Sequence, residues 1–143
     1  MPSVPAAIIA LTLYALWAMF LVLSVGAVRV GQVVRGKAHA GSFTPGVPHG
    51  PERYWRLNRA HMNTTENLPI FATVVFAGWA AGAIDPAFNA LAMTVVAARA
   101  VQSLIHISSG SVQAINMRFT AFAVQIVCQI WMAWLILRAA GVF

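Results

Sequence analysis

Acidic residues are almost missing from this chain: three Asp/Glu stand against nine Lys/Arg in 143 residues, and charged side chains of both signs make up only 8%. A soluble domain normally carries about 25% charged residues to keep its surface wet. The outer surface here must therefore face something other than water, and the length allows one compact unit. A single cysteine, Cys128, excludes an intrachain disulfide and leaves the redox compartment open. Four His, one Cys and three acids lie scattered with neither HExxH nor CxxC spacing, so no metal site is expected. Paired carboxylates, a Ser with a matching His and acid, and a glycine-rich phosphate loop are all missing, which sets aside hydrolytic and nucleotide-binding chemistry. The formal charge of +6 is not laid out as a basic stripe with interleaved aromatics, which argues against a nucleic-acid partner.

What is abundant is apolar: 60% of the residues are hydrophobic and the mean hydropathy is +0.77. About 20 apolar residues suffice for a helix to cross the roughly 30 Å hydrocarbon core of a bilayer. No charged side chain occurs between Pro2 and Val28. The basic residues follow this run, at Arg29, Arg35 and Lys37, instead of preceding it, so it reads as a retained first helix and not as a signal peptide. Residues 31–53 then hold five Gly and three Pro and form the long loop. A second helix carries Pro69 within it, where a kink is expected because a backbone donor is lost. Asp85-Pro86 supplies an N-cap and a first-turn proline, so the second connection is tight and helices two and three are antiparallel neighbours. Helix three meets Arg99 after 13 uncharged residues, the SSGS stretch at 108–111 is a turn, and 19 uncharged residues separate Arg118 from Arg138 in helix four. The expected architecture is all-α: an integral membrane four-helix bundle of up-down topology forming one domain over 1–143, with helices at about 4–30, 54–84, 86–107 and 113–139.

Arg29, Arg35, Lys37, Arg53, Arg56 and Arg59 surround the first loop and Arg118 flanks the third, whereas the second has only Asp85 and the C-terminus only Arg138. The positive-inside rule then places loops one and three in the cytoplasm and both termini on the opposite side.

The stretch 52–71, ERYWRLNRAHMNTTENLPIF, carries the most chemistry. On a helix, Arg59, Asn63, Glu66 and Asn67 fall at i, i+4, i+7 and i+8 and share one face. Ionisable groups at membrane depth cost about 2.5 to 3.5 kcal/mol on insertion scales and usually face the bundle interior or a wet cavity. Pairing of Arg59 with Glu66 would staple helices together, but two further amides on the same face favour a polar binding site. Arg99, Gln102 and His106 share a face of helix three in the same way, and Arg99 is expected to pair with Glu66 or with a bound anion. The cations and amides at one end of the bundle, Arg29, Arg59, His61, Arg99, His106 and Arg118, suit a small anionic ligand with several carboxylates. A lipophilic co-substrate would arrive directly from the bilayer along the apolar helix faces. If the anion carried a thiol, a neighbouring Arg would lower its pKa from about 8.5 and generate thiolate at neutral pH, and Arg118 at the start of helix four is the best placed.

The segment 59–71, RAHMNTTENLPIF, resembles the signature of the MAPEG family, the membrane-associated proteins in eicosanoid and glutathione metabolism. The pattern is filled by Arg59, Ala60, His61, Asn63, Glu66, Leu68 and Pro69, and helix count and basic residues are similar over nearly the whole chain. The resemblance implies a four-helix bundle that assembles as a homotrimer, with glutathione as co-substrate bound between neighbouring subunits. By that resemblance Arg59, His61, Asn63, Glu66 and Asn67 match the glutathione-contacting stretch, Arg29 the Arg closing helix one, and Arg118 the Arg that stabilises the glutathione thiolate. His106 stands where the family often has Tyr. Tyrosines are otherwise few, at Tyr14 and Tyr54 only, and Gln102 and His106 are the donors in place of the helix-three tyrosines of other members. The implied function is a membrane-bound glutathione-dependent transferase or peroxidase acting on lipophilic electrophiles. The alternative is a non-catalytic lipid-binding or scaffold protein of the same fold.

Overall fold

A computed structural model describes residues 4–44, 47 and 50–143. Four long helices carry the chain: α1 (Ala6–Val34), α2 (Glu52–Ala80), α3 (Pro86–Ser108) and α4 (Val112–Ala139), with a 3-10 turn at Ala40–Ser42 in the first connection.

The helix ends follow from local chemistry. The side chain of Asp85 accepts a hydrogen bond from the Phe88 amide at 2.7 Å and Pro86 occupies the first turn, so α3 begins where this dipeptide sets it. Ser111 caps α4 in the same manner through the Ala114 amide. Helix α1 runs four residues past the expected stop, because nothing breaks it until the Gly36 and Lys37 amides turn back to the carbonyls of Val33 and Gln32. Helix α2 starts two residues earlier than expected, at Glu52, and ends four earlier, at Ala80. Its stop is Gly82, whose φ of 65° closes the helix with bonds from the Gly82 and Ala83 amides to the carbonyls of Trp79 and Gly78. Helix α2 continues through Pro69 as one element.

The helices pack up, down, up and down. Tyr14 on α1 meets Phe71 and the Thr64 carbonyl on α2, and Arg29 meets Tyr54, which makes these two antiparallel. Gly78 lies against Phe88 near the tight α2–α3 connection, while Thr64 and Ser103 meet further along. Gln102 and Gln125 join α3 to α4, and the Ala7 amide bonds Asn89 at the start of α3. The core consists of Ala7, Ala10 and Tyr14 from α1, Phe71 and Val75 from α2, Phe88, Ala92 and Val95 from α3, and Cys128 and Met132 from α4. In lipid, where tails are as apolar as Leu, this packing holds helices together by van der Waals fit more than by expulsion of water. Gly78 shows how close that fit is: a Cβ there would stand 2.4 Å from Cζ of Phe88.

The outside of the bundle is apolar. Leu23, Trp79, Phe119 and Ile130 are each more than 60% exposed, a surface that water does not tolerate at this extent. Three helices, α1, α3 and α4, are long and apolar enough to cross a membrane. Helix α2 is as long as α1 but polar in its first half, and it packs antiparallel to α1 and α3.

Candidate functional site

Helix α2 has two faces with different tasks. Ala60, Thr64, Phe71 and Val75 are buried against the bundle. Arg59 and Glu66 project outward and are exposed, with Asn63 half-buried between them. Arg59, Asn63 and Glu66 line one concavity of about 170 Å³ together with Trp55 and Met62. Helical spacing therefore brings three of the four face residues to a common hollow. Asn67, the fourth, turns away: its Nδ2 donates to the Asn63 carbonyl of its own helix at 2.9 Å.

Arg99 is 2% exposed, the largest fully buried side chain among the described residues. Its Nη1 donates to the Asn63 carbonyl at 3.3 Å, and its guanidinium carbon lies 5.7 Å from the centre of the Tyr14 ring. Nε and Nη2 are buried without a hydrogen-bond partner. The expected pairing of Arg99 with Glu66 does not form. Successive residues turn by about 100° on a helix, so Glu66 points some 200° away from Thr64, the residue that faces α3. The guanidinium reaches α2 on its backbone side, behind the face that carries the carboxylate. Nor do Arg59 and Glu66 form an ion pair: among the described residues the one ion pair joins Arg56 to Glu52, within the first turns of α2.

The remaining cations fall into two groups. On the α1–α2 side, Arg29 Nε donates to the Tyr54 hydroxyl at 2.7 Å and its guanidinium lies over the rings of Phe43 and Tyr54. His61 is half-buried within electrostatic range of Arg29, and its Nδ1 is buried without a partner. On the α2–α3–α4 side, His106 is half-buried and lies within electrostatic range of Arg118, Arg59 and Arg56. Arg118 is half-buried at the start of α4, and its backbone carbonyl accepts from Gln102 Nε2 at 3.2 Å. Arg56 Nε in turn holds the Ile107 carbonyl at 3.2 Å, tying α2 to the last turn of α3. Arg99, by contrast, belongs to the buried core.

Helix-three amides are also committed. Gln102 Oε1 accepts from Gln125 Nε2 at 3.1 Å, and Gln125 donates to the Ala121 carbonyl as well. Gln125 and Gln129 are buried on α4, and the Oε1 of each has no partner. Of this polar seam the sequence singled out Gln102 alone; Gln125, Gln129, Tyr14, Thr64 and Ser103 were not among the residues expected from it. Its signal was present in the spacing of Gln125 and Gln129, one turn apart in an otherwise apolar run.

A bundle of membrane-length helices with its cations crowded at one end and a polar hollow on its second helix defines the class: an integral membrane protein of α-helical type. The sequence matches the MAPEG family over residues 7–138, nearly its whole length, and the chain belongs to that family. No individually curated protein matches it.

Proposed function

We propose that the chain is a membrane-bound glutathione-dependent transferase or peroxidase that takes lipophilic electrophiles from the bilayer. The observation that carries this reading is the hollow shared by Arg59, Asn63 and Glu66, beside the cluster of His106 and Arg118. A carboxylate, two cations and an amide in one region suit a tripeptide with an amino group and two carboxylates, and Arg is the preferred carboxylate receptor. Pockets that enclose a small molecule hold about 300 to 1,000 Å³. The hollow, at about 170 Å³, is half a site, and a second copy of the chain would close it. A homotrimer with glutathione between subunits satisfies that need.

Arg59, His61, Asn63 and Glu66 would hold the tripeptide, with Asn67 and Arg99 supporting the Asn63 backbone and Arg29 supporting His61. His106 would contribute a donor near the sulfur. Arg118 would stabilise the thiolate, the thiol proton passing to solvent. The sulfur then attacks an electrophilic carbon and displaces a leaving group. With a hydroperoxide the sulfur would take the terminal oxygen as the O–O bond breaks and the alcohol leaves, and a second glutathione would convert the resulting sulfenic acid to the disulfide with release of water. The basic end, with loops one and three, would face the cytoplasm, where glutathione is abundant.

Calorimetric titration of the purified protein with glutathione, read together with thiolate absorbance in the ultraviolet, tests this. Saturable binding with a thiolate band is expected; the absence of both overturns the reading.

A second reading is a non-catalytic lipid-binding or scaffold protein of the same fold. It is favoured by the engagement of both phenols and of Gln102: Tyr14 donates to the Thr64 carbonyl, Tyr54 accepts from Arg29, and Gln102 is bonded on both sides. Under this reading Glu66→Ala disrupts the oligomer and no variant alters thiol conjugation, because there is none.

A further inference from the structure

A hollow separate from the Arg118 region lies at the end of α1. It holds about 740 Å³ and is lined by Ala27, Val28, Arg35, Lys37, Ser42 and Phe43, among others. Its two sides differ in character. Ala27 belongs to the lipid-ward face of α1, which continues upward through exposed Leu23 and downward through exposed Val30 and Val34, while Val28 stands about 100° further round the helix on the side of buried Leu21 and Val25. Arg35 and Lys37 sit where the helix has just ended, both exposed, and among the described residues neither side chain has a carboxylate or hydrogen-bond partner. The 3-10 turn Ala40–Ser42 and Phe43 fold back as the opposite wall, anchored by the edge-on contact of Phe43 with Tyr54 at 6.1 Å and by Arg29 over the Phe43 ring at 5.3 Å.

Depth places this hollow at the headgroups. Helix α1 has 29 residues, so at about 1.5 Å each it is about 43 Å long. The hydrocarbon core is about 30 Å thick and the bilayer with its headgroups about 40 to 45 Å, so the last turn of α1 emerges among phosphates. No acid competes for the two cations. The chain has three acidic residues. Glu52 is turned to Arg56 and lies 3.4 Å from where a Cβ of Gly110 would stand, Glu66 lines the hollow on α2, and Asp85 caps α3 at the other end of the bundle.

We infer that this hollow binds the headgroup of an anionic phospholipid, with Arg35 and Lys37 on the phosphate and Ala27, Val28 and Phe43 against the glycerol and the first acyl carbons. Basic pockets at helix ends on one side of a membrane are suited to such headgroups, because cations near the surface attract anionic lipid. The inference is independent of any glutathione chemistry, because none of its residues belongs to the α2 hollow or to the Arg118 cluster.

The test uses the full chain in neutral detergent, titrated with dioctanoyl phosphatidylglycerol, dioctanoyl phosphatidylcholine and inorganic phosphate, with binding read by calorimetry. Phosphatidylglycerol is expected to bind saturably at one site per chain, and phosphatidylcholine at least tenfold more weakly. Arg35→Gln/Lys37→Gln weakens phosphatidylglycerol binding tenfold or more. The charge-matched control Arg53→Gln/Arg138→Gln leaves it within twofold. Gly31→Leu fills the hollow without changing charge, since a Cβ at Gly31 meets only open space, and it too weakens binding tenfold. Inorganic phosphate binding as tightly as the lipid assigns the site to a free anion and overturns the lipid inference. Equal losses in the two double variants, or undiminished binding in Gly31→Leu, show diffuse surface charge instead of a pocket and overturn it as well.

Discussion

Arg99 of α3 holds α2 by its backbone: Nη1 donates to the Asn63 carbonyl, and that same carbonyl accepts Asn67 Nδ2. Tyr14 of α1 donates to the next carbonyl, that of Thr64. Two neighbouring helices thus grip consecutive backbone oxygens of α2 one to two turns before Pro69. The side chain of Asn63 is left to line the hollow with Arg59 and Glu66. Scaffold and candidate site meet at one residue, through different atoms.

This separation makes Asn63→Ala informative. The backbone oxygen that Arg99 grips survives, while the amide in the hollow is lost. Glutathione binding is expected to fall about tenfold, equivalent to about 1.4 kcal/mol. The thermal midpoint in detergent should stay within a degree or two. A large drop in midpoint would mean that the amide is part of the scaffold.

Arg118→Ala should leave the elution volume in detergent unchanged and reduce thiol-conjugation turnover by about 10²-fold or more, as removal of a charge-stabilising donor does in other active sites. Unchanged turnover would transfer the thiolate role to another cation, with Arg59 the next to examine.

Arg99 is buried with one hydrogen bond and no carboxylate beside it. Taking a charge out of water without a counter-charge costs several kcal/mol, a cost that a well-packed apolar side chain of similar volume does not carry. Arg99→Met is therefore expected to unfold at the same or a higher temperature. A clear loss of stability would reveal a counter-charge on Arg99 in the assembled protein.

Gly78→Ala places a Cβ against Phe88 and should destabilise by about 1 to 3 kcal/mol through overpacking. Phe88→Leu in the same chain is expected to restore part of that loss, because the two side chains contend for one space. A double-mutant cycle in detergent unfolding measures the coupling; additivity of the two changes would contradict the close approach.

Gln102 and Gln125 form a buried pair across α3 and α4. Gln102→Leu alone leaves one N–H of the Gln125 amide without its acceptor, the other still donating to the Ala121 carbonyl, and an unsatisfied buried group costs about 1 to 3 kcal/mol. The double variant Gln102→Leu/Gln125→Leu should be more stable than that single variant. The order of their unfolding midpoints decides the point.

The four-helix plan was legible because it depends on composition and local capping alone. Long uncharged runs, the Asp85-Pro86 start and the Gly-rich 31–53 stretch each act over a few residues. The ends of α1 and α2 were less legible, since Gly36 and Gly82 stop helices by adopting a left-handed conformation that a glycine elsewhere, such as Gly31, does not adopt. Spacing also put Arg59, Asn63 and Glu66 on one face, and they do line one hollow.

Periodicity fails where a partner helix must be known. It places Arg99 and Glu66 on polar faces of their own helices, but only the rotation of α2 against α3 decides that the Asn63 carbonyl, and not the Glu66 carboxylate, meets the guanidinium. Burial of Tyr14, Gln125 and Gln129 has the same origin. The sequence by itself determined which side chains share a face, because the 3.6-residue turn is a property of one chain segment. Tertiary structure decided which face meets which, because that depends on how closely small residues such as Gly78, Ala7 and Ala92 let the helices approach and at what rotation they lock.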